Sequence, residues 1–219
     1  MADISMSGYA RSAARARAGS AALLGQVMFL VSIALGFVTA GALIGQDLSQ
    51  KTAFICFMAG FAMLLVQSFA GERFRVGALA VAWLYAIALL IGLGIGPTIG
   101  YVLNNDGTAI TQAAGCTALI VLGMGAGGFA MSKDLVAWMR PLSFVILGCV
   151  VVSFVLLIFS SGGNPILSAA IAIVSALLIM VDFNYLKKHG TGDDAVWLAT
   201  GIFVSIVNIF LSLLNLFFR

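Results

Sequence analysis

A chain of 219 residues in which 62% of side chains are hydrophobic and only 9% are charged lacks the polar surface a water-soluble globule needs. It reads as an all-α polytopic membrane protein. The formal charge of +3 does not indicate nucleic-acid binding, because the basic residues are scattered over short turns. Cys56, Cys116 and Cys149 lie in separate apolar runs with no CxxC spacing, so neither a disulfide framework nor a metal site is expected.

In chain order, residues 1–20, rich in Ser, Ala and Arg, read as a disordered cytoplasmic tail, and residues 21–219 as one membrane domain. Crossing about 30 Å of hydrocarbon takes roughly 20 apolar residues. Seven segments qualify: 22–45, 52–70, 76–101, 110–131, 141–160, 165–183 and 196–218. Glycines at four-residue spacing (Gly41 and Gly45; Gly92, Gly96 and Gly100; Gly123 and Gly127) predict close helix packing. Pro97 is expected to bend or end the third segment. Trp83, Trp138 and Trp197 are candidates for the interfacial aromatic belt.

Alternating the turns between the two sides puts Arg11, Arg15, Arg17, Arg73, Arg75, Lys133, Arg140, Lys187 and Lys188 together, with Lys51 and Arg219 opposite. This charge bias predicts a cytoplasmic N-terminus and a C-terminus outside.

Asp182 is the one charged residue within an apolar segment. A carboxylate at the bilayer centre costs roughly 2.5–3.5 kcal/mol on insertion scales and less near the rim. Two readings stay open: Asp182 snorkels to the headgroups beside Lys187, or it faces the bundle as a titratable ion or proton group. In the last segment, Gly201, Ser205, Asn208, Ser212 and Asn215 recur every three or four residues, a polar stripe about 80° wide opposite Phe203, Phe210 and Phe217. That pattern predicts a central last helix whose stripe either hydrogen-bonds its neighbours or lines a hydrated path. Glu72, Arg73 and Arg75 end the second segment on the side of Asp182, where an arginine would favour the ionised carboxyl. His189, Asp193 and Asp194 are expected in a solvated turn.

Enzymatic classes fit poorly. Gly190-Thr191-Gly192-Asp193 matches the GxGD pattern of intramembrane aspartyl proteases, but it falls in a short rim turn. The last segment has no lysine for a retinal Schiff base, and the single histidine lies in a turn rather than a span. No catalytic residue and no cofactor is expected.

The stretch from Ala109 to Val155, with Thr117, the Lys133-Asp134-Leu135 turn, Gly148 and Ser153, resembles the Bax inhibitor-1 (transmembrane Bax inhibitor motif) family, and the ending LATGIFVSIVNIFLSLLNLF resembles its bacterial YccA branch. The resemblance implies a seven-helix fold with a central last helix. In calcium-leak members of the family, two aspartates share a proton and an arginine assists. Asp182 matches the first aspartate and Arg73 the arginine, while Ser205, three residues before Asn208, stands at the second. The two-carboxylate latch is therefore absent. For the YccA branch the resemblance implies a non-enzymatic protein of the bacterial inner membrane that binds and modulates the membrane protease FtsH, with the N-terminal tail as a handle. The alternative is a pH-sensitive cation (calcium) leak gated by Asp182, with Arg73, Ser205 and Asn208 as the accompanying ion- or proton-sensing residues and Ca2+ or H+ as the ionic partner.

Overall fold

The computed structural model of the chain describes residues 2–69, 74, 76–159 and 164–218. The described residues form six long helices: α1 (Ala2–Ile44), α2 (Gln50–Phe69), α3 (Ala78–Ala130), α4 (Val136–Phe159), α5 (Pro165–Lys188) and α6 (Ala195–Phe217). Each is long and apolar enough to cross a membrane. Single 3₁₀ turns, Gly45–Asp47 and Gly192–Asp194, follow α1 and precede α6.

Residues 2–18, expected as a disordered tail, continue α1 as helix. Ala and Arg are strong helix formers, and a helix already nucleated by the adjoining span extends at little cost.

Segments three and four of the sequence reading both fall within α3, which at 53 residues would be a rod of about 80 Å if straight. It is not straight. Asp106 has φ −153° and ψ 81°, which interrupts the helix. The Asp106 carboxylate then accepts the backbone N–H of Thr108 at 3.1 Å and the Thr108 hydroxyl, capping the second arm. Ala80, Leu84 and Ile87 of the first arm and Val121, Met124 and Phe129 of the second pack on one hydrophobic core. In a straight helix Leu84 and Met124 would lie about 60 Å apart, so α3 folds back at Asp106.

Pro97 does not end the helix; the break comes nine residues later. Pro97 cannot donate to the carbonyl of Leu93. That carbonyl instead lies against the 3₁₀ turn after α1, where a Cβ on Gly45 would come within 2.6 Å of it.

The glycine pattern holds for the α1–α3 contact. A Cβ on Gly92 would meet the Val38 carbonyl at 2.3 Å, and one on Gly96 would meet Gly45 at 2.4 Å, so only hydrogen fits. It fails for Gly123 and Gly127, which face open space. In that arm Gly125 meets the Phe183 ring, and a Cβ on Gly128 would come within 2.0 Å of the Met180 carbonyl. Periodicity marked a small-residue face, while the packed face lies about 150° round the helix.

α6 packs against α1, α3 and α5, and Gln67 of α2 reaches it as well. Phe203, expected on an outward aromatic face, is completely buried because neighbours surround α6 at that level. α4, whose principal neighbour is α5, leaves Phe144, Val145, Val151 and Val152 exposed, as a lipid-facing helix requires. Trp138 is 61% exposed and suits the interfacial belt. Trp83 does not: its indole N–H donates to the Met63 carbonyl at 3.1 Å and its ring packs on Phe74.

Candidate functional site

Two contacts set the register of α5 against α6. The Ser168 hydroxyl donates to Asn215 Oδ1 at 3.2 Å, and a Cβ on Gly201 would lie 3.3 Å from Asp182 Oδ2. Fourteen residues forward along α5, from Ser168 to Asp182, correspond to fourteen back along α6, from Asn215 to Gly201. The helices are antiparallel, and the midpoint pairs Ser175 with Asn208. Polar residues on α5 therefore recur every seven positions, at Ser168, Ser175 and Asp182, with His189 next beyond the helix. A seven-residue repeat keeps them on the seam between two antiparallel helices.

Asp182 is only 7% exposed, and among the described residues it has no hydrogen bond or ion pair. Its carboxylate faces the protein rather than the headgroups. Gly201 leaves room beside it, since any larger residue would press a methyl against Oδ2. Ser205 is buried on the same helix one turn further on, and Asn208 is half-buried. Arg73, with Glu72 and Arg75, lies outside the described residues.

Three buried polar groups escaped the sequence reading. Ser175 is fully buried and its hydroxyl has no partner among the described residues. Gln67 of α2 donates through Nε2 to the Thr200 hydroxyl at 3.1 Å, next to Gly201, while its Oε1 has no partner among the described residues. Asn184 is fully buried. Its amide donates to the carbonyls of Gly128 (3.1 Å), Lys133 (3.1 Å) and Met131 (3.4 Å), and its Oδ1 accepts the N–H of Leu135 at 2.9 Å. A glutamine inside the second apolar run was the available signal for Gln67; nothing local distinguished Asn184 from a rim residue.

Asn184 is the centre of a clamp between the end of α5 and the α3–α4 turn. Lys187 donates to the Phe129 carbonyl at 2.7 Å and Lys188 to the Ser132 carbonyl at 2.5 Å. Carbonyls at a helix C-terminus lack intrahelical donors and attract cations. His189 Nε2 lies 2.6 Å from Asp134 Oδ2. The expected solvated turn is thus partly tied down, and Asp194 caps it by accepting from Thr191 N and Oγ1. Asp193 is exposed there, away from buried Asp182, and no described contact joins the two.

The Val136 N–H, and after it His189, hold the Asp134 carboxyl below its ordinary pKa. A lowered folded-state pKa means these contacts stabilise fully above the ordinary carboxyl range, and that the stabilisation is lost as pH falls through the lower value. Asp134→Ala is expected to raise hydrogen exchange at the Val136 amide severalfold at neutral pH. The wild type, corrected for intrinsic rate, should match the variant only below about pH 4.

The family model described as "Inhibitor of apoptosis-promoting Bax1" matches residues 21–219, nearly the whole chain. The chain belongs to the Bax inhibitor-1 family. An uncharacterized protein of Pseudomonas aeruginosa is 27% identical over 195 residues, covering 86% of this chain and 85% of its own length. An uncharacterized membrane protein of Vibrio cholerae is 25% identical over 202 residues, covering 89% and 87%. A Helicobacter pylori protein is 29% identical over 184 residues, covering 81% and 78%. Family membership together with six apolar helices makes this a multi-pass membrane protein in contact with lipid.

Proposed function

We propose that this Bax inhibitor-like protein is a non-enzymatic, pH-sensitive cation leak of the bacterial inner membrane, with Asp182 as the titrating gate. The observation that carries the reading is a carboxyl 7% exposed, unpartnered among the described residues, on a polar seam. A bare charge in that position is costly, so protonation and ionisation correspond to two different local arrangements. Ser205 and Asn208 line the same seam, and Arg73, which follows α2 in the sequence, is the proposed counter-ion.

We count α3 as two spans, because its arms of 28 and 24 residues on either side of Asp106 each suffice to cross the hydrocarbon. That gives seven crossings, an N-terminus in the cytoplasm, and Asp182 near the inner leaflet beside Lys187 and Lys188. The positive-inside bias supports this orientation.

The test is cation flux into proteoliposomes. Wild type is expected to pass cations with a pH-dependent rate, and Asp182→Asn to remove the pH dependence. Identical flux for the two proteins from pH 5 to 8 would remove Asp182 from the gate.

A second reading is the YccA-type one, a binding partner and modulator of FtsH. Ser205 favours it, because a serine where calcium-leak members carry an aspartate leaves no carboxyl pair to close a pore. Co-purification from native membranes decides it: an unenriched protease, with unchanged protein lifetime after deletion of residues 1–18, rejects this reading.

A further inference from the structure

Building on the leak reading, we infer that the cation carried is the proton, and that it moves along the α5–α6 seam over water held at the level of Ser175 and Asn208. Two features point to a ligand there besides the stripe itself. Ser175 is 0% exposed and its hydroxyl has no partner among the described residues, although it lies deep in a membrane helix where bulk water is absent. A hydroxyl in that position is satisfied by an ordered water, which needs polar partners on more than one side. Asn208 supplies the other side by register. One heptad toward the basic rim, about 10 Å along the axis, the Asp182 carboxylate lies against Gly201, close enough that a Cβ there would come within 3.3 Å of Oδ2.

The spacing suits a relay. From Asn215 to Gly201 the stripe covers about 21 Å, with Ser212, Asn208 and Ser205 at steps of about 5 Å. Gaps of that length are bridged by one or two waters. Serine hydroxyls and asparagine amides both donate and accept, so each can stand in a chain of alternating donors and acceptors. Asp182 takes a proton from a water on the Ser175 side and releases it to a water on the rim side. The carboxylate is regenerated, and the net change is one proton moved.

The donor set disfavours a divalent ion. Calcium takes six to eight oxygens, usually with more than one carboxylate, whereas this seam offers one carboxylate among neutral groups. Among the described residues no three His, Cys, Asp or Glu side chains gather for a metal. The charged groups near Asp182 are few. Described α1 residues from 19 on and all of α6 carry none. Asp47, Lys51 of α2, Asp106 of α3 and Arg140 of α4 stand at helix ends or the α3 break, and Lys133 and Asp134 stand in the α3–α4 turn against the end of α5, Asp134 on His189. Lys187, Lys188 and His189 follow Asp182 on the rim, with Asp193 and Asp194 in the turn opposite.

The experiment uses the full chain in liposomes that contain a pH dye and a calcium dye, with a potassium diffusion potential as driving force. Wild type is expected to acidify the lumen without calcium entry. Asp182→Asn should fall to the protein-free rate and Ser175→Ala should slow proton entry at least tenfold. Ser175→Thr, which keeps the hydroxyl, should retain it, and Ser153→Ala on α4 should leave it unchanged. Should Ser175→Ala not fold, Asn208→Ala probes the same level from α6 and must slow entry too. Asp182-dependent calcium entry without acidification would overturn the proton assignment and leave the leak reading standing. Proton entry equal in wild type and the seam variants would overturn the path, and the absence of any cation flux would remove both.

Discussion

Asn184→Ala is expected to destabilise the folded protein by about 3 kcal/mol, measured as thermal unfolding in detergent, although its side chain carries no charge and bonds only backbone groups. One side chain satisfies the carbonyls of Gly128, Met131 and Lys133 and the N–H of Leu135. Leaving a buried polar group unpaired costs about 1–3 kcal/mol. The four losses do not sum, because the turn lies at the rim and water reaches part of it once the side chain is gone. Asn184→Asp keeps the acceptor for Leu135 but points a carboxylate at three carbonyls, so it should be at least as damaging. Asn105→Ala, which removes one exposed local bond to the Tyr101 carbonyl, is the control. Equal midpoints for Asn184→Ala and Asn105→Ala would show that the clamp contributes nothing.

The clamp also illustrates which features composition reveals and which it hides. Helices long enough to cross a bilayer follow from unbroken apolar runs, and the α6 stripe follows from a three-and-four repeat visible within one segment. Its partner on α5 does not stand out, because Ser168, Ser175 and Asp182 are seven residues apart and separated by ordinary aliphatic residues. Only the antiparallel register, set by Ser168 against Asn215, turns those isolated residues into a seam. Asp182 was identifiable as an anomaly, yet its orientation depends on Gly201, a contact between helices that no local pattern encodes. Asn184 was invisible for the same reason, since its partners lie about fifty positions earlier in the chain. The small-residue stripe at Gly123 and Gly127 misled because spacing reports a face and not what lies against it.

That distinction sets up a substitution pair with opposite outcomes on one helix. Gly128→Ala would place a methyl carbon 2.0 Å from the Met180 carbonyl oxygen, a backbone atom that no rotamer change can move aside. α3 and α5 must separate by more than an ångström, loosening the Phe183 contact with Gly125 and lengthening the bond from Asn184 to the Gly128 carbonyl. Overpacking a tight interface costs typically 1–3 kcal/mol, and a collision with rigid backbone belongs at or above the upper end. We expect about 3 kcal/mol and a fall in the yield of monodisperse protein. Gly127→Ala, the adjacent residue, meets nothing within 4 Å and lies in helix, so it should be neutral or stabilise by up to about 1 kcal/mol through the better helix propensity of alanine. The same ordering should hold between Gly92→Ala at the α1–α3 contact and Gly123→Ala on the open face. If all four variants unfold within about 2 °C of one another, small-residue packing is not what holds α3 against its neighbours.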